Sequence, residues 1–581
     1  MDLDSSPILN LPTELLLLVL YLLDVPDILN IRQTCRILFK TTHERSVWMK
    51  LLEEQELYLP LPPEILHTYR HEDRHLLAYS DIAIESIVTN ATYLSSMWHR
   101  PRSAPFKLDR REIGTTLMGM KLFLDRWLVV VYYEGAAYLY DTQPNQKSAI
   151  NELPFVSEGK ANVNCTPVLR AQLFLESGLW ITHVAAVDSE SQTIFLALSR
   201  SVPPHMVQIY EVDLTILASN SLFAPNGFHL AKSISLPLYK VIRAIEPAQH
   251  MIALSTSGTI ELVKWDEWIP NAEENVIRKI IRINPGEMDE HLWNGIIAVH
   301  FMGPYILIFR TRSIEIHEPP SFFHSSAFSG SDPVLKHDFS LTYREVSFSQ
   351  TIISQDPLSE VVTYEATLFA YDVLHGLFHY IVRIQVSPTN ELPPSLEVVL
   401  AGTYPLAFDV HGPSIYVPLT SVDAPIDPPL SPKEPLTYLA NFTPSPSPTP
   451  TFNHVHAHVP GSSSTAHSTQ GGQLEDGSRG FLSTHAIGSQ GKRGIWVERK
   501  RSSTLREIQV WSHNSPLFSL SYKKQLSARG ITAIEIPRRV VYSLYSYDLR
   551  DDITCCTLGE LTGIIILGHR SGDVSLLQLE A

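Results

Sequence analysis

The chain has little cysteine, a shortage of basic charge and no apolar run long enough to cross a bilayer, and each shortage removes a class of function. Four cysteines in 581 residues cannot frame a disulfide-stapled fold, and no CxxC pair is present to build a zinc ribbon or a redox motif. Cys555 and Cys556 are adjacent, which disfavours a bond between them; Cys35 sits in a helical pattern and Cys165 in a polar stretch. Sparse unpaired thiols fit a reducing compartment. Lys and Arg total 45 against 61 Asp and Glu, a formal net charge of −16, so the broad basic face of a nucleic-acid binder is missing. The most conspicuous apolar run, Leu15–Leu23, has nine residues, where a membrane-spanning helix needs roughly 20. Asp2, Asp4 and Glu14 precede it and Asp24 follows it, the reverse of the basic flank of a secretory signal. A cytoplasmic or nuclear location is therefore expected, with no membrane and no nucleic-acid partner. The Asn-X-Thr triplets at Asn90, Asn164 and Asn441 then carry no meaning. No P-loop, no GxGxxG after a strand, no GxSxG and no Cys–His nucleophile context is visible, so neither a catalytic site nor a cofactor is expected.

What remains is a long chain of ordinary soluble composition, 44% hydrophobic and 18% charged, with 41 prolines. That length implies several domains or one large repeat architecture. Pro12, Thr13 and Glu14 make a helix start, with proline in the first turn and an acid at the positive end of the dipole. The helix that follows is apolar on nearly every side, from Leu15 through Leu23. A helix of that kind must be covered all round, and three short helices cannot surround one of their own members, so part of this surface awaits a second protein. Asp24 can cap a second helix with Pro26 and Asp27 in its first turn, and Ile28, Ile31, Cys35 and Leu38 recur along one stripe of it. Val47, Trp48, Leu51 and Leu52 mark a third helix.

The stretch "LPTELLLLVLYLLDVPDILNIRQTCR…VWMKLL" resembles an F-box, the helical module by which substrate receptors dock on the Skp adaptor of cullin-RING ubiquitin ligases. The resemblance rests on Leu11-Pro12, Glu14-Leu15, the apolar positions Val19, Leu20, Leu22 and Leu23, Asp27-Ile28-Leu29, Cys35-Arg36 and Trp48. Thr34 departs from it by replacing the usual aliphatic residue before the cysteine, and Leu38-Phe39 stand where Trp or Phe often follows. It covers about the first 50 residues, and it implies that Leu11, Pro12, Leu15, Val19, Leu20 and Ile28 face the adaptor. An ordinary helical hairpin belonging to the main domain is the competing reading.

Beyond residue 120 the pattern changes from helical to alternating. Arg126–Asp141, His250–Trp265, Gly303–Glu318 and Gly563–Leu579 each read as a β-branched or aromatic run, a tight turn and a second run, which is a β-hairpin. Looser copies lie at Thr193–Asp213, Thr367–Val386 and Gly494–His513, and a weaker strand begins at Ser414. Short runs between hairpins, such as "HVAAVD", "GIIAVHF" and "VIRAIEP", bring each period to about four strands. Matched first-strand positions (Val129, Ile194, Ile252, Ile306, Leu368, Ile415, Trp496, Ile564) stand roughly 47–81 residues apart, mostly longer than the period of about 40–50 that marks a β-propeller. The segments resemble degenerate WD-type blades without the Gly-His start and Trp-Asp end, apart from an echo at Gly568-His569. The expected fold is mainly β with a small α N-terminal module: a three-helix F-box at 1–55, a partly helical linker at 56–100, and a WD-like propeller at 101–581. Seven blades are expected, with six or eight as the neighbouring counts. Two β-sandwiches are the competing architecture, and they would space the hairpins less regularly.

Between residues 421 and 490 periodicity is lost in a Pro/Ser/Thr/Gly/His-rich segment that cannot bury enough surface to fold, so a disordered insertion in one blade is expected. Ser431, Thr443, Ser445, Ser447 and Thr449 each precede proline and are candidate phosphorylation sites, weighed against an unmodified spacer. His71-Glu72-Asp73-Arg74-His75 is a literal HExxH. Charged residues lie between its histidines, residue 81 is Asp where a third His would stand, and no later Glu completes a zinc set, so a solvated linker helix is the better reading. His454, His456 and His458 alternate without a second ligand pair, and no metal is expected there either. "KRGIWVERKR" (492–501) concentrates five basic residues around a strand; a nuclear-import or acidic-ligand patch competes with a solvated hairpin. The resemblance thus implies a non-catalytic substrate-recognition subunit of a Skp–cullin–F-box ligase, with a Skp-type adaptor, a cullin beyond it and an unknown protein target as partners. A non-ligase interaction scaffold built on a propeller is the alternative.

Overall fold

Strands that are apolar on both faces need neighbours on both sides, and this chain provides them by packing sheets radially. The computed structural model describes residues 11–56, 59–62, 79–108, 116–144, 166–176, 179–219, 223–224, 227–256, 258–266, 276–282, 294–318, 328–329, 332–355, 361–387, 393–406, 480–499, 503–513, 536 and 539–579. Seven antiparallel sheets follow one another along it. Blade 1 runs Leu117–Phe123, Trp127–Tyr132, Ala136–Asp141 and Val168–Phe174; blade 2 runs Trp180–Asp188, Thr193–Arg200, Met206–Asp213 and His229–Ser235. Blade 3 comprises Val241–Glu246, Met251–Ser255, Thr259–Lys264 and Ile277–Arg282, with Phe328–Ser329 added in parallel outside it. Blade 4 comprises Ile296–Met302, Tyr305–Arg310, Ser313–His317 and Leu335–Asp338. Blade 5 uses Glu345–Phe348 and Ile352–Gln355 as a broken inner strand, then Val362–Asp372, Gly376–Val386 and Ser395–Pro405. Blade 6 is Phe481–Ile487, Arg493–Arg499, Leu505–Ser512 and Arg539–Tyr545.

Blade 7 takes Ile553–Leu558, Ile565–His569 and Val574–Leu577 from the end of the chain and its outer strand, Phe106–Lys107, from near the start. First strands touch first strands all the way round, blade 7 against blade 1 included, so the sheets close into a seven-bladed propeller. The apolar core follows the same ring: seven clusters of buried side chains each span one seam between consecutive blades, from Val129 with Leu196 between blades 1 and 2 to Val130 with Ile566 between blades 7 and 1. Side chains alternate across a strand, and here both faces meet a neighbouring blade, so Trp127–Tyr132 and Ala136–Asp141 are buried at every position. Two stacked sandwiches cannot produce this cycle of seams.

All seven hairpins read from the sequence are second-and-third-strand pairs of the seven blades. Gly376, at φ +119° in one of their turns, has the Tyr404 carbonyl oxygen 2.0 Å from where a Cβ would stand, so no side chain fits. The strand expected at Ser414 falls outside the described residues, as do the 421–490 insertion up to residue 479 and its five Ser/Thr-Pro sites, His71–His75 and the His454–His458 group; residues 480–490, expected to belong to that insertion, instead hold the first strand of blade 6, Phe481–Ile487. Gly568-His569 closes a second strand and so does not open a blade. "KRGIWVERKR" is no solvated hairpin over its described part: Arg493–Glu498 is a buried strand.

The N-terminal helices are α1 (Thr13–Leu20), α2 (Val25–Arg32), α3 (Arg36–Thr41) and α4 (Arg45–Glu56). The Ile28–Leu38 stripe therefore belongs to two helices. The chain breaks at Cys35, extended at φ −155° and ψ 164°, after the Thr34 hydroxyl donates back to the Ile31 carbonyl at 2.7 Å and so ends α2. Pro12 stands one residue before α1, and Asp24 holds the N-cap position of α2 without a side-chain capping bond. A fifth helix, α5 (Asp81–Trp98), is capped by Ser80, whose hydroxyl accepts from the Ala83 N–H. Its Ile84, Ile87, Val88 and Ala91 share one core with Leu20, Val25, Ile28, Val47, Trp48, Leu51 and Leu52, so the core begun in α1 does not end at residue 55.

Candidate functional site: an uncovered apolar helix face

The period of 3.6 residues divides the apolar run of α1 into two stripes. Leu16 and Leu20 point inward, and Leu20 is only 2% exposed in the core formed with α4 and α5. On the opposite side Leu15, Leu18 and Val19 form a second stripe at spacings of three and four, with Leu11 before the helix and Leu22 after it also at the surface; Leu18 is 56% and Leu22 86% exposed. Ile37 and Phe39 of α3 are also about half exposed. Of the six residues that the sequence singles out for adaptor contact, Leu11, Pro12, Leu15 and Val19 lie at the surface, whereas Leu20 and Ile28 (0% exposed) are used by the module's own core. Leu18 and Leu22, which the sequence reading did not single out, are exposed beside them, and the helical spacing from Leu15 is the signal that finds Leu18.

The core beneath this face is tied together by polar groups. Arg32 pairs with Glu85 of α5, and its guanidinium lies 5.5 Å from the Trp48 ring centroid. Glu85 also meets His43 Nδ1 at 3.0 Å, and the Trp48 indole donates to the Thr42 carbonyl at 2.8 Å. These bonds hold α2, α4, α5 and the turn after α3 in one arrangement.

The helical module is seated on the propeller. Loops joining first to second strands, and third to fourth, lie at one end of an antiparallel blade, and the module docks on that end of blades 6 and 7. Gln490 bonds both the N–H and the carbonyl of Leu61, and Lys492 Nζ donates to the carbonyls of Leu59 and Glu56. Trp98, at the end of α5, is wholly buried in the seam between blades 6 and 7, and its indole donates to the Trp511 carbonyl at 3.0 Å. The guanidinium groups of Arg493 and Arg102 approach its ring centroid to 4.9 and 5.5 Å. Four residues after Trp98, the Arg102 N–H donates to the Val541 carbonyl at 2.7 Å, and the chain enters blade 7 as its outer strand.

Buried charge concentrates at this junction. The Glu560 carboxylate accepts from the backbone N–H groups of Gln490, Lys492 and Arg493; burial raises its pKa and those bonds partly oppose the rise. Asp125, in the neighbouring loop of blade 1, accepts from the Leu561 N–H at 3.0 Å. Burial first, and the Glu560 charge second, push its pKa up to about 7. Burial lowers Arg493 to about 10, with Glu560 and Asp125 pulling the other way, and lowers Arg102 to about 9 with help from the Arg493 charge. These groups hold loops of blades 6, 7 and 1 together under the module. They form no catalytic dyad exposed to a substrate, since Glu560 and Arg493 are both about 1% exposed.

A helical module with an exposed apolar face is thus fixed to a closed propeller. Residues 8–54 match the F-box-like family model, so the chain carries an F-box-like domain followed by a seven-bladed β-propeller. No curated protein matches the chain at a significant level. Among solved structures it is similar to the β-propeller domain of Cps50 (Swd1) from Myceliophteria thermophila. Identity is 9%, the match covers 82% of this chain and 100% of that one, and the TM-score is 0.41. It is also similar to the C-terminal WD40 domain of Sif2, at 10% identity, 83% and 99% coverage and a TM-score of 0.35. The seven-blade assignment rests on the sheet pairing and seams of this chain. Among the described residues no helix is long and apolar enough to cross a membrane.

Proposed function

We propose that this chain is the substrate-recognition subunit of a Skp–cullin–F-box ubiquitin ligase. The α1 stripe of Leu15, Leu18 and Val19, flanked by Leu11, Pro12 and Leu22, docks a Skp-type adaptor that links it to a cullin. The propeller holds the target protein. The observation that carries the reading is that stripe: neighbouring apolar residues at the surface of a module whose core is packed beneath them, within a segment matched by the F-box-like model. Leu20 and Ile28 act from beneath by fixing the angle of α1.

The subunit does no chemistry of its own in this reading. It raises the effective concentration of target lysines near the charged conjugating enzyme, and the Trp98 and Gln490 contacts keep the two binding parts at a set distance. The module occupies one end of the propeller, so the target is assigned to the other, where loops between blades and between second and third strands expose Tyr133, Leu179, Leu238, Leu374, Leu549 and Tyr547, the last 83% exposed.

The test is co-purification of the full chain with a Skp-type adaptor, followed by titration of an L15D/L18D double variant. Loss of about 100-fold or more in affinity, with an unchanged melting temperature, is expected. Wild-type chain that never captures the adaptor but holds another stable partner would instead establish the non-ligase scaffold.

A further inference from the structure

At the end of the ring opposite the helical module, blades 1 and 2 share an exposed apolar patch. Beneath it lies Trp180, 2% exposed, where blade 2 begins. The tight turn between the second and third strands of blade 1, Tyr133–Gly135, packs on that indole: a Cβ on Gly135, at φ +83°, would stand 2.8 Å from Trp180 Cδ1 and 3.0 Å from Leu175 Cβ. The Trp180 indole donates to the Glu176 carbonyl at 3.4 Å, and the Leu175 N–H donates to the Gly135 carbonyl at 2.9 Å. In blade 2 the Ser201 N–H and hydroxyl both donate to the Leu179 carbonyl, at 2.9 and 3.0 Å. The loops of the two blades are thus bonded into one rim that holds Tyr133, Leu179 and Val202 at the surface, with Leu179 57% exposed. Phe174, 53% exposed and set edge-on against Tyr138 at 6.0 Å, extends the apolar surface along the outer strand of blade 1.

Two carboxylates stand in this patch without a cation to answer them. Glu134 and Glu176 are both exposed, on segments that continue the Ala136–Phe174 pairing past the Leu175–Gly135 bond. Among the described residues neither forms an ion pair. Burial first and the Glu176 charge second raise the Tyr210 phenol of blade 2 to about 12, so that charge is felt across the seam. The neighbouring cations are engaged elsewhere. Arg570, in the blade 7 turn whose Gly572 carbonyl accepts from the Tyr132 hydroxyl, pairs with Asp552 at 3.9 Å, and Arg200 is half-buried at the end of its strand. Like charges on neighbouring strands repel, and apolar side chains left in water are stabilised by being covered. A ligand that brings positive charge and apolar side chains together relieves both.

We propose that this patch docks an extended basic and apolar segment of a target protein, its Lys or Arg side chains on Glu134 and Glu176 and its large apolar side chains on Leu179, Val202 and Phe174. Charge complementarity selects this partner: an acidic segment would add to the repulsion between the two carboxylates, and a neutral apolar one would leave it in place. In an extended segment the side chains at i, i+2 and i+4 fall on one side, about 7 Å apart, so a run such as Lys-x-Leu-x-Lys presents both kinds of group to one surface. The proposal rests on the reading that this end of the propeller holds the target, and it names the chemistry of that target.

Fluorescence anisotropy on the full chain tests the proposal with a labelled Ser-Lys-Ser-Leu-Ser-Lys-Ser-Leu-Ser peptide and two counterparts, Glu replacing each Lys in one and Ala replacing each Leu in the other. Saturable binding of the first peptide with a Kd of about 100 µM or tighter is expected, with both counterparts weaker by about tenfold or more. E134Q/E176Q, at an unchanged melting temperature, should weaken the first peptide by about tenfold as well. That variant removes two of the 61 acidic side chains, so diffuse attraction to an acidic protein survives it and only site-bound charge is lost. The peptide comparison on the wild-type chain decides without any variant. Undiminished binding to a folded E134Q/E176Q, equal binding of the first peptide and either counterpart, or no saturable binding up to about 1 mM would overturn the assignment. Adaptor capture is scored on the same samples: a chain that captures the adaptor but not the peptide loses this assignment alone, whereas one that binds the peptide without the adaptor keeps it and loses the ligase reading.

Discussion

The helical module and the propeller solve the same problem in opposite ways. Both are built from segments with more apolar surface than one layer can cover. In the propeller every seam has a neighbour, because the last blade meets the first and Phe106–Lys107 completes the closing sheet. A closed ring has no end, so no apolar face is left over. The module has ends: α1 is covered by α4 and α5 on one side and, among the described residues, by nothing on the other. Closure hides surface and an open bundle displays it, which is why the docking face lies on the smaller part of the chain.

Three experiments break or sharpen that contrast. The largest effect is expected where the two parts share a side chain. W98A opens a cavity in the seam between blades 6 and 7 and strands the Trp511 carbonyl, and should cost about 3–5 kcal/mol in denaturant unfolding. The loss should appear in propeller signals as well as in helical ones; a W98A propeller that unfolds at the wild-type midpoint would show that the module is only tethered to the ring.

A smaller effect separates the two stripes of α1. L20A should destabilise the module by about 2–5 kcal/mol, whereas L18A should leave stability within about 0.5 kcal/mol of wild type. Adaptor affinity should rank the other way, with L18A weakened at full stability. If L18A proved as destabilising as L20A, the outer stripe would be part of the module's own core.

The smallest effect is electrostatic and belongs to the junction. Asp125 has a folded pKa of about 7 against 3.8 for the free group, so between those values the folded chain holds a proton that the unfolded chain releases. The penalty from this carboxylate is full above about pH 7 and fades as the pH falls toward about 4. D125N keeps an acceptor for the Leu561 N–H and cannot ionise. Its melting temperature should therefore exceed that of wild type by a few degrees at about pH 8 and by less at about pH 5. An equal difference at both pH values would exclude ionisation of Asp125 as the cause.

The parts of the fold legible in sequence are those whose environment is the same on both faces. Second and third strands such as Met251–Ser255 and Thr259–Lys264 are sandwiched between blades, so they read as unbroken apolar runs around a turn. First strands are harder to read because one side faces channel water, as in Trp180–Asp188, where only Trp180 and Ala185 are buried. Outer strands are harder still: His229–Ser235 is mostly exposed, and Phe106–Lys107 has two residues and no pattern at all. Helix α5 did leave a trace, in the Ser80 cap and the Ile84, Ile87, Val88, Ala91 spacing, but nothing local distinguishes it from a linker that merely passes by.

By itself the sequence determined the order of the parts, the hairpins at the heart of each blade, and a first helix with more apolar surface than its neighbours could cover. Local periodicity suffices for these, because each depends on residues within a turn or two of one another. Tertiary structure alone decided the blade count, which of the apolar residues of α1 face outward, the seating of Trp98 between blades 6 and 7, and the packing of the Gly135 turn on Trp180. Each of those depends on segments brought together by ring closure from distant points of the chain, and no short-range pattern encodes a contact between residues 98 and 511, or between 106 and 576.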